Sequence, residues 1–392
     1  MSRPADAPIA RDYFFDIPEN ANKWIASVEG DGIGLLHRSS DRLIGRKMFV
    51  WGSTPGGNHW NNWLTDGRDY YEIQAGLAKT QFQHFPIGAR EIITWQEGYR
   101  ALRIDDVNRD FRAICTNIDA AVSPCDWGSA FEIVHEDAPV LLGSGRGRLA
   151  ELLCPGERSS ICSFPDESLG EDEAYFVSLL RGEAFTGDTS GYASDARWLE
   201  IIEAKPDKSD LDNLQSGVLY LANNKPDEAL HRLAAVGGKH RWLAAATQAM
   251  VLSTLLHDDA AAMPFIREAM RLRPDDEPLA VLYGELCIRA GRFDEFVQYY
   301  QTDRRFAGVG RVRMYAAKCL AEVDALDEAA AILDESLVVP DIREGEYAIS
   351  RIWVELYKKI IARDERRESA EISEAEVFLK HPLPVSLDFR MH

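Results

Sequence analysis

Several things this chain of 392 residues has little of narrow the field at once. It has six cysteines, Cys115, Cys125, Cys154, Cys162, Cys287 and Cys319, with no C-x-x-C among them and no histidine near a cysteine pair at zinc-finger spacing. Scattered free thiols in a reducing compartment are the expectation. Long apolar runs are missing too. The start, Met-Ser-Arg-Pro-Ala-Asp-Ala-Pro, lacks the apolar core of a secretory signal, and no stretch approaches the length of a membrane span. Basic residues are outnumbered, 44 Lys and Arg against 64 Asp and Glu, for a formal charge of −20. That balance argues against neutralising nucleic-acid phosphates or an anionic membrane surface. A cytoplasmic protein that binds neither nucleic acid nor membrane is the simplest reading, and nothing implies a cofactor or a metal.

The clearest chemical feature lies in Asp69-Tyr70-Tyr71-Glu72-Ile73-Gln74-Ala75-Gly76. Read as a strand, it alternates Tyr70, Glu72 and Gln74 on one face with Tyr71, Ile73 and Ala75 on the other. A carboxylate between an aromatic and an amide suits a polar ligand better than a core. Around it the first hundred residues are β-rich. Trp24–Val28 and Ile33–His37 flank a Glu-Gly-Asp-Gly turn, Lys47–Trp51 is a compact apolar strand, and Thr80–Phe85 and Ile92–Tyr99 are predicted as further strands. Short strands with Gly and Pro turns point to antiparallel sheet.

From about Ala174 the pattern becomes helical. Three joins between apolar-periodic segments, at Lys225–Ala229, Gly291–Phe296 and Asp324–Ala329, and a weaker one at Asp258–Ala262, align through Asp227, Ala260, Asp294 and Asp327. Their spacings of 33, 34 and 33 residues match the tetratricopeptide repeat, in which each unit is a pair of helices. Arg271–Asp276 looks like the proline-marked end of such a unit. Residues 103–173 read as a connector with a short helix near Val107–Asn117. The segment Gly143-Ser144-Gly145-Arg146-Gly147-Arg148 lacks the phosphate-loop pattern and reads as a mobile joint. The predicted domains are therefore 1–103, 104–173 and 174–392.

Long motifs carry a resemblance to a bacterial family of unknown function that precedes tetratricopeptide repeats in large carbohydrate-associated proteins. They are Tyr13–Pro18, Gly45–Gly52, Pro55–Trp60, Tyr71–Gln81 and Thr94–Tyr99, and near the other end Val339–Glu346, His381–Pro384 and Asp388–Met391. That family is similar to galactose-mutarotase-like β-supersandwiches. The resemblance implies a partial antiparallel supersandwich, α+β overall once the helical solenoid is added, with carbohydrate as the ligand. It also implies Glu72 as counterpart of the mutarotase general base. The family's earlier strands, and the histidines they carry, have no counterpart before Tyr13, so a partner chain is expected to complete the sheet.

The candidate residues follow. Glu72 is a general base or a sugar-hydroxyl acceptor, or else a solvated strand glutamate paired with Arg46 or Lys79. His59, after Gly56-Gly57, is the candidate acid, and Trp60 and Trp63 could stack on a sugar. Gln74, Tyr70 and Glu97, the last sharing a face with Trp95 and Tyr99, complete the ligand-binding set. His84 reads as a strand-end residue, and His135, His381 and His392 show no metal-ligand spacing. Asp105-Asp106 and Asp275-Asp276-Glu277 read as helix-start acids. Ala229, Ala261, Ala317 and Ala329 suit close helix packing. Tyr283, Tyr299, Tyr300 and Tyr315 suit packing, or a concave protein-binding face. The expected function is a carbohydrate-associated repeat protein that is not an active enzyme alone. The alternatives are a protein-interaction scaffold and a sugar epimerase or glycoside hydrolase acting within a complex.

Overall fold

A computed structural model describes residues 6–65, 67–68, 70–105, 107, 110–122, 143–156, 163–189, 191–334 and 336–391. Asp69, Asp106, Cys125, His135, Cys162 and His392, singled out above, lie outside them. Contacts divide the chain into two units, Met1–Glu136 with Asp341–His392, and Asp137–Pro340. The last fifty or so residues thus group with the first unit.

The first unit is built on six strands, β1 (Arg11–Phe14), β2 (Lys23–Val28), β3 (Ile33–Ser39), β4 (Gly45–Val50), β5 (Tyr71–Gly76) and β6 (Glu97–Arg103). They form two antiparallel three-stranded sheets, ordered β1-β4-β5 and β2-β3-β6. The hairpin read from the Glu-Gly-Asp-Gly turn is β2-β3, with Lys23 opposite Ser39 and Val28 opposite Gly34. Arg46 on β4 is 1% exposed and ties the first sheet to the second. Its Nη2 donates to the Lys23 carbonyl and the Ser39 hydroxyl, and its Nη1 to the Leu43 and Gly45 carbonyls.

Two helices belong to this stretch. α1 (Pro55–Thr65) follows β4, and α2 (Phe111–Ala121) lays Ile114 and Ile118 against Leu36 and Leu102 of the second sheet. Predicted strand Thr80–Phe85 is not formed, and regular pairing on the next one begins only at Glu97. Pro86 removes a ladder donor there, and among the described residues no strand lies alongside to pair with residues 80–95. These are small antiparallel sheets within an α+β chain.

Among its described residues the regular elements of the second unit are all helices. α3 (Gly145–Leu153) replaces the predicted mobile joint, because Ser144 caps its start by accepting from the Gly147 amide. After α4 (Glu171–Arg181) and α5 (Arg197–Glu203) come four helix pairs. These are α6 (Asp210–Ala222) with α7 (Pro226–Ala234), α8 (Arg241–Met250) with α9 (Asp259–Leu272), α10 (Glu277–Arg289) with α11 (Phe293–Thr302), and α12 (Gly310–Glu322) with α13 (Leu326–Ile332). The second helices begin at the aligned joins read from the sequence.

The turn within each pair repeats as well. Asn224, His257, Gly291 and Asp324 all have positive φ, between 54° and 66°. In three pairs the next amide bonds five residues back, Lys225 to Tyr220, Arg292 to Cys287 and Ala325 to Leu320. This is the Schellman closure of a helix C-terminus. In the remaining pair Asp258 reaches six back, to Leu252, because a π-turn at Val251–Leu255 inserts one residue.

Small residues let the helices approach. Ala229, Ala262, Ala317 and Ala329 are fully buried, with Ala262 and not the expected Ala261 on the core side. Tyr283 and Tyr299 pack edge to face, 5.3 Å between ring centres, in the core around Phe296. Asp276 caps α10 as a helix-start acid should, accepting from the Leu279 amide. The chain then returns to the first unit with α14 (Ala348–Glu365) and α15 (Glu374–Lys380).

Candidate functional site

In the first sheet β4 lies between β1 and β5, with Lys47 opposite Gln74 and Phe49 opposite Glu72. Directly opposed residues share a face, so Asp12, Lys47, Phe49, Glu72 and Gln74 form one polar and aromatic surface. The alternation read from the sequence is realised. Tyr70 Oη donates to Glu72 Oε1 at 2.8 Å, and Gln74 Nε2 donates to Glu72 Oε2 at 3.0 Å. Accepting from Tyr70 holds the Glu72 carboxylate in place and pushes the phenol up to about 12.

The chain of contacts continues through Lys47. Its ammonium pairs with Asp12 at 2.7 Å and donates to Gln81 Oε1 at 3.1 Å. Neither cation proposed as a structural partner for Glu72 takes that role. Arg46 is bound to carbonyls and Ser39, and Lys79 pairs with Asp16 at 3.2 Å.

A second carboxyl, far along the sequence, is electrostatically coupled to this face. Glu344, just before α14, feels Glu72, Asp12 and Lys47 electrostatically. Its pKa is raised, first by loss of hydration and then by the two negative neighbours. Glu344 lies inside the Val339–Glu346 motif, so the sequence held the signal, but nothing in the chain's order linked it to Glu72.

On the second sheet, Glu97 accepts from Trp95 Nε1 at 2.7 Å, from Tyr99 Oη at 3.0 Å and from His37 Nε2 at 2.9 Å. Burial works against the charge, yet these three donors hold the carboxyl below its ordinary range. His37 is 3% exposed, and burial lowers its pKa despite the Glu97 bond, with Arg46 adding to the effect.

The candidate acid His59 stands elsewhere. Thr54 Oγ1 accepts from the Gly57 amide at 3.0 Å and starts α1, so His59, Trp60 and Trp63 sit on a helix and not on a flexible loop. Gly56 is required there, since a Cβ would lie 1.8 Å from the Arg390 carbonyl oxygen. His59 packs edge-on against Phe389 at 4.3 Å, and burial lowers its pKa. Trp60, expected to stack on a ligand, is 4% exposed and stacks on Trp51 at 4.9 Å, with Nε1 donating to the Phe389 carbonyl. Trp63 keeps a partly exposed ring. His84 lies in an exposed irregular stretch, not at a strand end.

A concavity lies on the other side of the first sheet. A groove of about 1600 Å³ runs between Met48 and Tyr71 on one wall and Trp24, Val28 and Ile114 on the other, with Asp16, Asn22 and Arg68 among its polar groups. Tyr71 and Ser27 join their hydroxyls across it. Glu72 points away from this groove, as its period-two position beside Tyr71 requires. Among the described residues no group of His, Cys, Asp or Glu could hold a metal ion, and no helix is long and apolar enough to cross a membrane.

No protein-family model matches the chain, and no curated protein matches it. Among solved structures the chain is similar to a TPR-domain containing protein from Parabacteroides distasonis ATCC 8503. The two share 15% identity at a TM-score of 0.57 over 96% of this chain, which spans 60% of that protein's length. At that identity the likeness is one of fold, and it agrees with the four helix pairs: the helical part of this chain is a tetratricopeptide-like array.

Proposed function

We propose that this protein is a protein-binding scaffold whose helical array engages a partner through the first helix of its second pair. The observation that carries this is an uncovered apolar surface on one turn after another of that helix. Leu243 is 38% exposed, Met250 49%, and in the π-turn that follows Leu255 is 53% exposed. Leu243, Thr247, Met250 and Thr254 fall on one face at steps of four, three and four residues, and Thr247 and Thr254 bond back to the carbonyls of Leu243 and Met250. Stacked helix pairs recognise partners along such faces. The test is affinity capture with the full chain, comparing wild type with Leu243→Asp/Met250→Asp. A partner retained by wild type and lost by that variant, with unchanged circular dichroism, is the expected result. A partner set that survives the double change would overturn it.

A second reading is favoured by the ordered Tyr70–Glu72–Gln74 set and by Glu344. On this reading the sheet is a mutarotase-like fragment that binds carbohydrate, and another chain completes it at an open sheet edge. If it carries out sugar epimerisation or hydrolysis in such a complex, Glu72 is the base. Glu344, whose pKa is raised by loss of hydration and by Glu72 and Asp12, is then the candidate acid, since His59 packs instead against Phe389. Titration with a sugar panel tests this. Binding that is lost in Glu72→Gln supports it, and equal binding by that variant removes Glu72 from the site.

A further inference from the structure

We propose that strand β6 pairs antiparallel with β6 of a second copy of this chain, centred on Arg100, joining two three-stranded sheets into one of six strands. This goes beyond the carbohydrate reading, whose Glu72 lies on the β1-β4-β5 sheet, and rests on β6 being an open edge of the β2-β3-β6 sheet.

β6 is an edge. Among the described residues β3 is its sole strand neighbour, and the strand is seven residues long with Tyr99, Arg100, Ala101 and Arg103 exposed. A long exposed edge strand presents a row of backbone donors and acceptors to other chains. Which residues present them follows from the ladder. Ser40 donates to the Gln96 carbonyl, and Ile104 donates to the Gly32 carbonyl, so even-numbered residues of the strand face β3. Alternation then turns the amides and carbonyls of Glu97, Tyr99, Ala101 and Arg103 outward.

A twofold pairing must set outward residues opposite outward residues, so the two residue numbers in each pair sum to an even number. A sum of 200 is the register that uses all seven residues. It places Tyr99 opposite Ala101 of the second copy, and Glu97 opposite Arg103, twice. Both pairs lie on the face away from α2, beside exposed Ile33 and Leu35. On that face the central pairs are thus Tyr99 with Ala101, and each end carries an opposite-charge pair. Neighbouring registers lose this match: a sum of 202 sets Glu97 against Asp105, and a sum of 198 removes the partner of Arg103. At the centre Arg100 meets its own copy. Its Nη2 donates to the Ala121 carbonyl at 3.1 Å, drawing the guanidinium to the C-terminal end of α2, where a positive charge is favoured.

The central pair has no direct backbone bonds, so its Cα atoms approach to about 4.5 Å, within reach of a disulfide. Under mild oxidation the full-length Arg100→Cys chain should form a linked homodimer that wild type and Gly98→Cys do not. By sedimentation, Arg103→Glu should weaken self-association roughly tenfold, and mixing it with Glu97→Lys should restore it, since each chain then supplies the opposite charge. A wild type that is monomeric at all concentrations would overturn the self-pairing. So would cross-linking at Gly98 in preference to Arg100. If β6 instead captures a strand of a different protein, self-pairing fails while the partner-completed edge stands.

Discussion

The four turns inside the helix pairs offer the sharpest test of the repeat. Each places one residue in the left-handed region, and just one of the four, Gly291, is a glycine. That conformation costs a residue with a Cβ about 1–2 kcal/mol. Nothing lies within 4 Å of where a Cβ on Gly291 would stand, so no clash adds to the backbone term. Alanine also narrows the unfolded ensemble, which returns about 0.4–1 kcal/mol. Gly291→Ala should therefore cost about 1 kcal/mol. The converse changes should gain, with His257→Gly and Asp324→Gly each adding about 0.5 kcal/mol and Asn224→Gly close to neutral, because asparagine tolerates this region well. Urea unfolding followed by far-UV circular dichroism measures all four, with the midpoint moving and the slope unchanged. If Gly291→Ala matched wild type while His257→Gly lost stability, the shared turn would not be the element that closes each pair.

Other changes probe the first unit. Arg46→Ala should destabilise it by about 3 kcal/mol or more, since it strips hydrogen bonds from two buried carbonyl-rich turns and from Ser39; Arg46→Lys should recover part of the loss, and equal urea midpoints for all three would refute the clamp. Burial lowers the pKa of both His37 and His59 from 6.5. The unfolded chain takes up their protons first, so stability is fully present above about pH 6.5 and falls as pH drops towards the folded values. Unfolding midpoints measured from about pH 7 to 5 should decline, and His59→Gln should flatten that decline; a flat wild-type profile would count against it.

The sequence made some of this legible and hid the rest for physical reasons. The β2–β3 hairpin was readable because its turn and both apolar strands are local. The helix pairs were readable because the spacing of their joins survives degenerate motifs. The period-two reading of Tyr70, Glu72 and Gln74 held because their side chains bond to one another. Thr80–Phe85 misled because alternation describes a strand's face and not its neighbour. Gly56 and Gly57 made α1 look like a loop, since glycine is costly inside a helix. Here both fall in the first turn, where Thr54 caps and Arg390 needs the space. Glu344 and Phe389 were hidden because their contacts span hundreds of residues and carry no local pattern.

The π-turn at Val251–Leu255 bears on how this array tolerates changes of length. Its extra residue is absorbed inside one helix end, and α9 still begins 33 residues after α7, the second helix of the pair before. An insertion that would rotate every later side chain by about 100° in a continuous helix is confined to a single turn. Its outward residues include Leu255 and Thr254. Gains and losses of one residue can thus reshape the exposed surface of one repeat while the stacking of the others keeps its phase.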